Sequence, residues 1–522
     1  MLYLKEPSGV GQILAIMFAL VVSTAMGGQW PQFRGFGDGM TDEKQLPVQW
    51  SSTKAVVWKV KVPGYGWSSP VVWDDRVFLT TAVSENQLPP ERKGPGGGNP
   101  TPVDAVYRWE IRCLDRMTGK TLWKQTAAER KPATGNHVSN TYASETPVTD
   151  GCHVYAYFGM CGLLCCYDVA GNFLWKQAIG PFRMFSSWGT ASSPVQDESR
   201  IFVQCDNEEE SFLTAFDKRT GRPLWRVARQ EGSAWSTPLL WKNRKRTELV
   251  LCGGREIRSY NPATGAVIWE LGVRSGLGGG SEGGPLSQSG GGPGRPPHPP
   301  NWNGSAHTSR AGGSSGPGRA GRGMTGSCKA SPVASDDLLF VGFGSRTHQQ
   351  LGPLWAVKAG ASGDISLGPS QRSSSNIAWF RDDAGPVMAS PLIHQDQLYI
   401  VPRDGDELTC LDAKTGRELY KQPLPDAVGF FASPWAYDGR VFFLDTEGRT
   451  YVIKAGPRFN LLGVNDVQER CRATPALSQG AVLLRTMESL YCFSFGTARP
   501  SSTSRKTFPS SKRSLNRAHL GD

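Results

Sequence analysis

The sequence predicts an all-β protein: an eight-bladed β-propeller of four-stranded antiparallel blades, closed by an N-terminal strand. Two recurring patterns predict this fold. One is an Asp-x-x-Thr-Gly turn with an aromatic residue eight positions after the Asp, and the other is a Ser/Thr-Pro pair that leads into an apolar run. Repeats with short strands at regular spacing are typical of propeller blades, whereas a parallel α/β fold would need helical periodicity between its strands.

The turn occurs four times in full and once shortened by one residue. The turns begin at Asp115, Asp217, Asn261 and Asp412, with the short copy at Asp168, and their aromatic residues are Trp123, Trp225, Trp269, Tyr420 and Trp175. Asp and Thr side chains bond nearby backbone N–H groups, and the Gly accepts the positive φ that the turn needs. We expect each large ring to dock on the neighbouring repeat, which gives these five residues a structural role.

The second pattern, the Ser/Thr-Pro pair, occurs eight times, and we expect each copy to mark the start of one blade. The markers are Ser69-Pro70, Thr146-Pro147, Ser193-Pro194, Thr237-Pro238, Ser331-Pro332, Ser390-Pro391, Ser433-Pro434 and Thr474-Pro475. Proline is tolerated where a strand begins, because no hydrogen-bond donor is required there. Eight markers therefore predict eight blades.

The two ends of the repeat region predict how the ring closes. The last repeat ends near Phe495 without an outer strand, and the apolar run 55–60 precedes the first marker without a blade of its own. We expect this run to complete the last blade, so that no open edge remains between the last blade and the first.

Composition divides the chain into a propeller at 28–496 and three segments that differ from it. Residues 84–106 and 273–326 interrupt the repeats and are expected to be surface loops, and residues 497–522 form a basic tail. Residues 273–326 carry five Arg against one Glu, and residues 498–522 carry six Lys or Arg against one Asp. These stretches hold nine of the eleven net positive charges, so the charge indicates solvated disorder rather than specific nucleic-acid binding.

The N-terminus predicts export. An apolar run from Ile13 to Val22 follows Lys5, and small residues at Ala25 and Gly27 fit a cleavage site. Residues 1–27 are therefore interpreted as a signal peptide, because the run is short for a membrane span, and an uncleaved anchor is the alternative. We expect a mature chain that is periplasmic or secreted, has no membrane span and is monomeric.

The eleven cysteines are an odd number, and their positions favour packing over disulfides. Cys113, Cys166 and Cys410 precede turn residues at a small strand position, and Cys205 and Cys252 occupy similar places, where a free thiol acts as a small apolar group. A bridge between Cys161 and Cys165, or between Cys165 and Cys166, stays open.

Aromatic residues concentrate in the loops before the markers. We expect them to line the mouth of the central funnel as a collar, which consists of Trp67, Tyr142, Trp188, Trp235, Phe431 and Arg472. Aromatic rings with one Arg suit a sugar, a peptide or a quinone, so the expected partner is a protein, a saccharide or another small molecule. In the alternative, each ring packs in its own blade interface.

The repeats closely resemble those of the quinoprotein alcohol dehydrogenase-like propellers, the pyrroloquinoline-quinone (PQQ) type. The segment 214–225 matches their motif Ala-x-Asp-x-x-x-Gly-x-x-x-Trp, and Trp30-Pro31-Gln32-Phe33-Arg34-Gly35 is similar to the start of exported members in planctomycete-like bacteria. The resemblance covers about residues 28–271 and 327–496. It implies the fold, and three roles: PQQ- and calcium-dependent dehydrogenase, cofactor-free scaffold, or sensor module of a kinase.

The residues favour a scaffold over the enzymes. In the dehydrogenases a vicinal disulfide covers the quinone, whereas Cys165 and Cys166 lie within a repeat strand. Asp206, Asp404 and Asp445 follow the second strands of their blades, but without calcium-loop spacing. Kinase strings such as His-Arg-Asp and Asp-Phe-Gly do not occur. We therefore predict an exported non-catalytic scaffold with no catalytic residue, metal or cofactor, and a PQQ- and calcium-dependent alcohol or sugar dehydrogenase as the alternative.

Overall fold

The chain forms a closed ring of eight antiparallel sheets. The computed structural model describes residues 28–85, 87, 89–90, 104–272, 328–344 and 352–495. The predicted signal peptide and basic tail, most of the 84–106 insert and all of 273–326 lie outside the described residues. Strand β1 (Val56–Lys61) comes first in the chain but belongs to the last blade.

Each blade runs from an inner strand at the central channel to an outer strand at the rim. The strands of blades 1 to 4 are β2 (Val71–Trp73), β3 (Arg76–Val83), β4 (Tyr107–Asp115), β5 (Thr121–Arg130); β6 (Val148–Thr149), β7 (His153–Phe158), β8 (Leu163–Asp168), β9 (Phe173–Ala178); β10 (Val195–Gln196), β11 (Arg200–Cys205), β12 (Phe212–Asp217), β13 (Pro223–Ala228); and β14 (Leu239–Lys242), β15 (Thr247–Cys252), β16 (Glu256–Tyr260), β17 (Val267–Gly272). A short 3-10 helix, Phe185–Ser187, lies between blades 2 and 3.

Blades 5 to 8 repeat this order with one additional strand. Their strands are β18 (Val333–Ala334), β19 (Leu338–Gly342), β20 (Gly352–Lys358), β22 (Ile377–Gly385); β23 (Leu392–His394), β24 (Gln397–Ile400), β25 (Glu407–Asp412), β26 (Glu418–Pro423); β27 (Trp435–Tyr437), β28 (Arg440–Leu444), β29 (Arg449–Lys454), β30 (Leu461–Asp466); and β31 (Ala476–Ser478), β32 (Ala481–Arg485), β33 (Ser489–Ser494). Strand β21 (Gly363–Asp364) adds to the edge of β17 in parallel.

The predicted fold class is confirmed, including the way in which the ring closes. Strand β1 pairs antiparallel with β33, and Lys61 lies opposite Ser489. The last blade therefore takes three strands from the C-terminal end of the repeats and its outer strand from the N-terminal end. Closure by strands from both ends leaves no unpaired sheet edge between blades 8 and 1.

Tryptophan rings join neighbouring blades at the turns. Trp225 of blade 3 lies against Gly265 of blade 4, where an added Cβ would come within 2.8 Å of its ring. Its indole Nε1 donates a hydrogen bond to the carbonyl oxygen of Pro262, 3.2 Å away. The same pair of contacts joins four other rings to the next turn: Trp58 to Gly119, Trp123 to Gly171, Trp175 to Gly221 and Trp379 to Gly416.

Two of the predicted docking rings use other contacts. Trp269 is fully buried, and its Nε1 donates to Glu248 Oε2 within its own blade at 2.7 Å. Tyr420 is 9% exposed, and its ring centroid lies 5.8 Å from that of Phe459 in blade 7. Trp58 of blade 8 and Trp379 of blade 5 were not predicted to dock, because neither follows the turn motif, yet both make the glycine contact and the Nε1 hydrogen bond described above.

One cysteine prediction is wrong. Cys252, expected to pack as a free thiol, forms a disulfide with Cys328. Cys252 ends β15 of blade 4, and Cys328 lies just before the marker of blade 5, so the bond links two blades across the long insert. Sequence spacing did not reveal this pair, because 76 residues separate its members. Cys161, Cys165 and Cys166 are free and buried.

Candidate functional site: the marker end of the ring

Hydrogen bonds link successive markers in a circle around the channel, which among the described residues is interrupted only between Thr474 and Ser69. From Ser69 to Ser433, each Ser or Thr donates its backbone N–H to the side-chain hydroxyl of the equivalent residue in the next blade, as in Ser69 to Thr146 at 3.0 Å. Among the described residues seven such bonds occur, and the others run Thr146 to Ser193, Ser193 to Thr237, Thr237 to Ser331, Ser331 to Ser390, Ser390 to Ser433 and Ser433 to Thr474. The circle holds the preceding loops at one height, which we call the marker end.

Three predicted collar residues come together on one side of the marker end. The guanidinium carbon of Arg472 lies 4.3 Å from the ring centroid of Phe431 and 5.6 Å from that of Trp67. Arg472 Nη1 and Trp67 Nε1 both donate to the carbonyl oxygen of Ser139, at 2.6 and 3.2 Å. Residues from blades 1, 7 and 8 and from the loop before blade 2 therefore form one cluster.

A second cluster lies in the loops before blades 3, 4 and 5. The rings of Trp188 and Trp235 are 5.5 Å apart, and Lys329 Nζ lies 5.5 Å from the first ring centroid and 5.9 Å from the second. Trp235 Nε1 donates to the carbonyl oxygen of Gly189, and its backbone N–H donates to that of Cys328. The disulfide at Cys328 therefore fixes the backbone beside Lys329.

The loop before blade 2 connects the two clusters. Asn140 Nδ2 donates to the carbonyl oxygen of Trp188 at 2.8 Å, while Ser139 accepts from the first cluster. The imidazole of His137 stands edge-on to the Trp188 ring at 6.3 Å. The clusters are thus parts of one surface that follows the marker end.

Tyr142 lies elsewhere. Only 2% of its surface is exposed, and its ring packs 4.6 Å from that of Tyr107 and 6.3 Å from that of Trp109. It belongs to the core between blades 1 and 2, which is the alternative that the sequence left open for each ring. Trp235 is also buried, at 8% exposure, whereas Trp67, Trp188, Phe431 and Arg472 are partly exposed.

Sequence reasoning missed two cations of this surface. Lys329 stands two residues before its marker Ser331, the same position that Trp67, Phe431 and Arg472 hold before theirs. That shared position is the sequence signal for Lys329, whereas the collar was predicted from aromatic residues and one Arg. Arg403 comes from a loop after β24, and its guanidinium carbon lies 5.9 Å from the Phe431 ring centroid. We call Lys329, Arg403 and Arg472 the cationic rim.

Burial shapes the charge of this surface. Burial, with repulsion from Arg470 and Arg403, lowers the pKa of Arg472 to about 10, so that its side chain stays protonated at neutral pH. Among the described residues, no carboxylate lies within ion-pairing distance of Arg472, whereas Asp404 lies 3.6 Å from Arg403. Burial raises the pKa of Glu145, in the marker loop of blade 2, to about 7, so this carboxyl carries little negative charge below that pH.

The residues do not fit the cofactor site that the resemblance implies. Successive side chains of a strand point to opposite faces, and Cys165 packs with the cluster around Trp109 while Cys166 packs with the one around Trp175. These free thiols lie inside β8 rather than over the funnel, so they do not form the expected cover.

The candidate metal ligands are engaged in other contacts. Asp206 accepts two hydrogen bonds from Arg229, at 2.8 and 3.1 Å, and the buried Asp445 accepts the backbone N–H groups of Glu447 and Arg449. In the ranges that the structure covers, no group of three His, Cys, Asp or Glu side chains is arranged to hold a metal ion.

Comparison with known proteins supports the fold from a separate direction. The family model PQQ_2, described as outer membrane protein assembly factor BamB, matches residues 108–293 and 352–456. A search of curated proteins found no significant match. Within the described part of the chain, no helix has the length and apolar character to cross a membrane.

Solved structures of two kinds share this architecture. BamB from Moraxella catarrhalis is 10% identical, with 84% of this chain and 97% of that chain aligned at a TM-score of 0.51. The quinohemoprotein alcohol dehydrogenase from Comamonas testosteroni is 11% identical, with 91% and 82% aligned at 0.53, and the enzyme ADHIIG from Pseudomonas putida HK5 is 10% identical, with 95% and 84% aligned at 0.52. At these identities the likeness shows a common fold.

Proposed function

This chain belongs to the PQQ_2 family, described as outer membrane protein assembly factor BamB, and from that premise we propose that it is an exported, non-catalytic scaffold. In this role the marker end binds an anionic group of a protein partner, such as the carboxylates of an acidic segment. The family contains a protein named as an assembly factor, and alcohol dehydrogenases share the fold. The choice between these roles rests on the chain's own residues.

The observation that carries the proposal is the contact of the Arg472 guanidinium with two rings, those of Phe431 and Trp67. A cation over a ring face is attracted by the ring's negative face, which holds the guanidinium in place. Because Arg472, Arg403 and Lys329 already cover the ring faces, these faces are less open to a stacking ligand than the sequence suggested. A ligand that approaches this surface meets held cations, and a carboxylate can pair with a guanidinium through two parallel hydrogen bonds.

Two further features support an exported scaffold. The N-terminal run Ile13–Val22 has the length of a secretory h-region. The disulfide Cys252–Cys328 is typical of oxidising compartments such as the periplasm. The residues expected to cover a quinone or to bind calcium lie in strands or accept structural hydrogen bonds, which favours binding over dehydrogenase chemistry.

Substitution of Arg472 tests this proposal. Calorimetric titration of the parent with hexaglutamate should show binding that weakens with salt, while hexalysine at the same ionic strength should not bind. Arg472→Gln should lower the hexaglutamate affinity about tenfold to a hundredfold, because a hydrogen bond to a charged group contributes about 1.5–3 kcal/mol. Lys176→Gln, which removes an exposed cation from the outer strand β9, is the matched control.

The outcomes separate clearly. An Arg472→Gln variant with parental affinity and an unchanged melting temperature would contradict the role of this residue. Equal binding of hexalysine and hexaglutamate would contradict the anionic character of the ligand. A loss of affinity in Lys176→Gln as large as that in Arg472→Gln would show that net charge, rather than the marker end, governs binding.

A further inference from the structure

The N-terminal loop, Trp30–Met40, lies inside the central channel. Trp30 exchanges backbone hydrogen bonds with Val72 of β2 in blade 1, and Thr149 of blade 2 donates its N–H to the carbonyl oxygen of Pro31. Further along, the carbonyl oxygen of Gly39 accepts the N–H of Ala436 in blade 7. The loop thus runs along the inner strand of blade 1 and leaves along that of blade 7.

The contacts place this loop on the axis of the ring. Blades 2 and 6 face each other across an eight-membered ring, and so do blades 4 and 8. Arg34 Nη2 donates to the carbonyl oxygen of Pro391 in blade 6 at 2.9 Å, opposite the contact of Pro31 with blade 2. Gly37 lies against Leu239 of blade 4, and Gly28 at the base of the loop lies against Gln479 of blade 8. A segment that reaches both opposite pairs occupies the channel itself.

The apex of the loop, Arg34–Gly39, lies at the marker end. Its neighbours in blades 4, 6 and 7 are the marker prolines or the residue that follows one: Leu239, Pro391 and Pro434. Turns at Gly35, Gly37 and Gly39, all with positive φ, reverse the chain there. At the other end of the channel, Gln29 bonds to Asp74 in the turn after β2. The loop therefore enters from the far end and stops just below the loops that carry the cationic rim.

Side chains at the apex differ sharply in exposure. Arg34 is 1% exposed, and its guanidinium donates hydrogen bonds to the carbonyl oxygens of Asp38 and Pro391. Phe36, two residues further along the loop, is 55% exposed. A large apolar side chain at the tip of a buried loop is an unusual exposure, because apolar surface left in water costs about 25 cal/mol per Å². Phe36 therefore lies at the inner end of the funnel that opens at the marker end.

We propose that the N-terminal loop closes the channel and that Phe36 is a ligand-contacting residue at the bottom of a blind funnel with a single entrance at the cationic rim. This rests on the proposed function for the kind of ligand: an anionic group carried by a side chain or a chain end that projects into the funnel. A chain that threads through the ring is excluded, because the loop fills the path.

Thiol labelling tests the position of Phe36. Phe36→Cys is made in a Cys152→Ser background, since Cys152 is exposed and the other free thiols are buried. Because Phe36 is largely exposed, the variant should melt with its background protein. N-ethylmaleimide should modify the introduced thiol, while a maleimide on a 5-kDa polyethylene glycol should react at least about tenfold more slowly, because a concave site of small-ligand size does not readily admit the polymer. Cys152 of the parent, which should react similarly with both reagents, is the control.

Hexaglutamate supplies the second arm. Saturating hexaglutamate should slow N-ethylmaleimide labelling of the introduced thiol several-fold and leave that of Cys152 unchanged. Equal rates for the small and large reagents would overturn the blind funnel, and unchanged labelling with hexaglutamate bound would overturn the contact at Phe36. If calorimetry shows no hexaglutamate binding to the parent, the proposed function fails, while the size dependence still decides whether Phe36 lies in an enclosed funnel.

Discussion

At the scale of single residues, the indole rings at the turns combine packing with a hydrogen bond. Trp225 covers Gly265 of the next blade, and its Nε1 satisfies the carbonyl oxygen of Pro262, which no strand pairs. A buried indole needs a partner for its N–H, and the turn supplies one at a fixed distance. The same residue therefore buries apolar area and fixes the angle between two blades.

Removal of one such ring should destabilise the propeller. Trp225 is partly buried, so Trp225→Ala should lower the free energy of unfolding by about 2–3 kcal/mol, somewhat less than the usual cost of truncating a fully buried aromatic residue. Leu224→Ala, one position earlier and 41% exposed, should change it by less than about 0.5 kcal/mol. Urea denaturation followed by circular dichroism measures both, and equal midpoints for the two variants would contradict the docking role of Trp225.

At the scale of elements, the turn glycines are constrained twice. Gly416 has a φ of 71°, and an added Cβ would lie 2.6 Å from the ring of Trp379. Gly439 in the turn after β27 has nearly the same φ, 67°, but nothing lies within 4 Å of the position of its Cβ. A comparison of the two glycines therefore separates two effects: at Gly439 a substitution meets only backbone strain, and at Gly416 it also meets the ring of the neighbouring blade.

Alanine at these two glycines should give different losses of stability. Gly439→Ala should cost about 1 kcal/mol, the price of a left-handed backbone for a residue with a Cβ. Gly416→Ala should cost about 1–3 kcal/mol more, because the Trp379 ring must move away. Urea midpoints measure the difference, and equal losses would show that the ring does not rest on the turn.

The elements also show what sequence can and cannot predict. The turn motif and the markers predicted eight blades and the role of β1, because each blade repeats local turn chemistry. They missed Trp379 because blade 5 lacks the Asp-x-x-Thr-Gly string. Arg472 and Phe431 were predicted to share the funnel mouth, but their stacking was not, since side-chain direction depends on loops from three blades.

At the scale of the whole molecule, contacts between distant parts of the chain determine the site. Arg34 meets Pro391 across 357 residues, and Cys252 meets Cys328 across the longest insert. No local pattern carries such contacts, which explains why the N-terminal loop and the disulfide were not predicted. The resulting ring has a closed channel and a marker end that carries three cations held over aromatic rings.

We propose that this ring binds an anionic partner and does not oxidise alcohols or sugars. The most direct measurement is dye reduction by the purified chain after incubation with PQQ and Ca²⁺, with alcohols and sugars as substrates. We expect dye reduction no faster than in the same mixture without protein, from a sample whose binding of hexaglutamate is shown by calorimetry. Turnover that requires the protein, the quinone and the substrate together would show that the chain is a dehydrogenase.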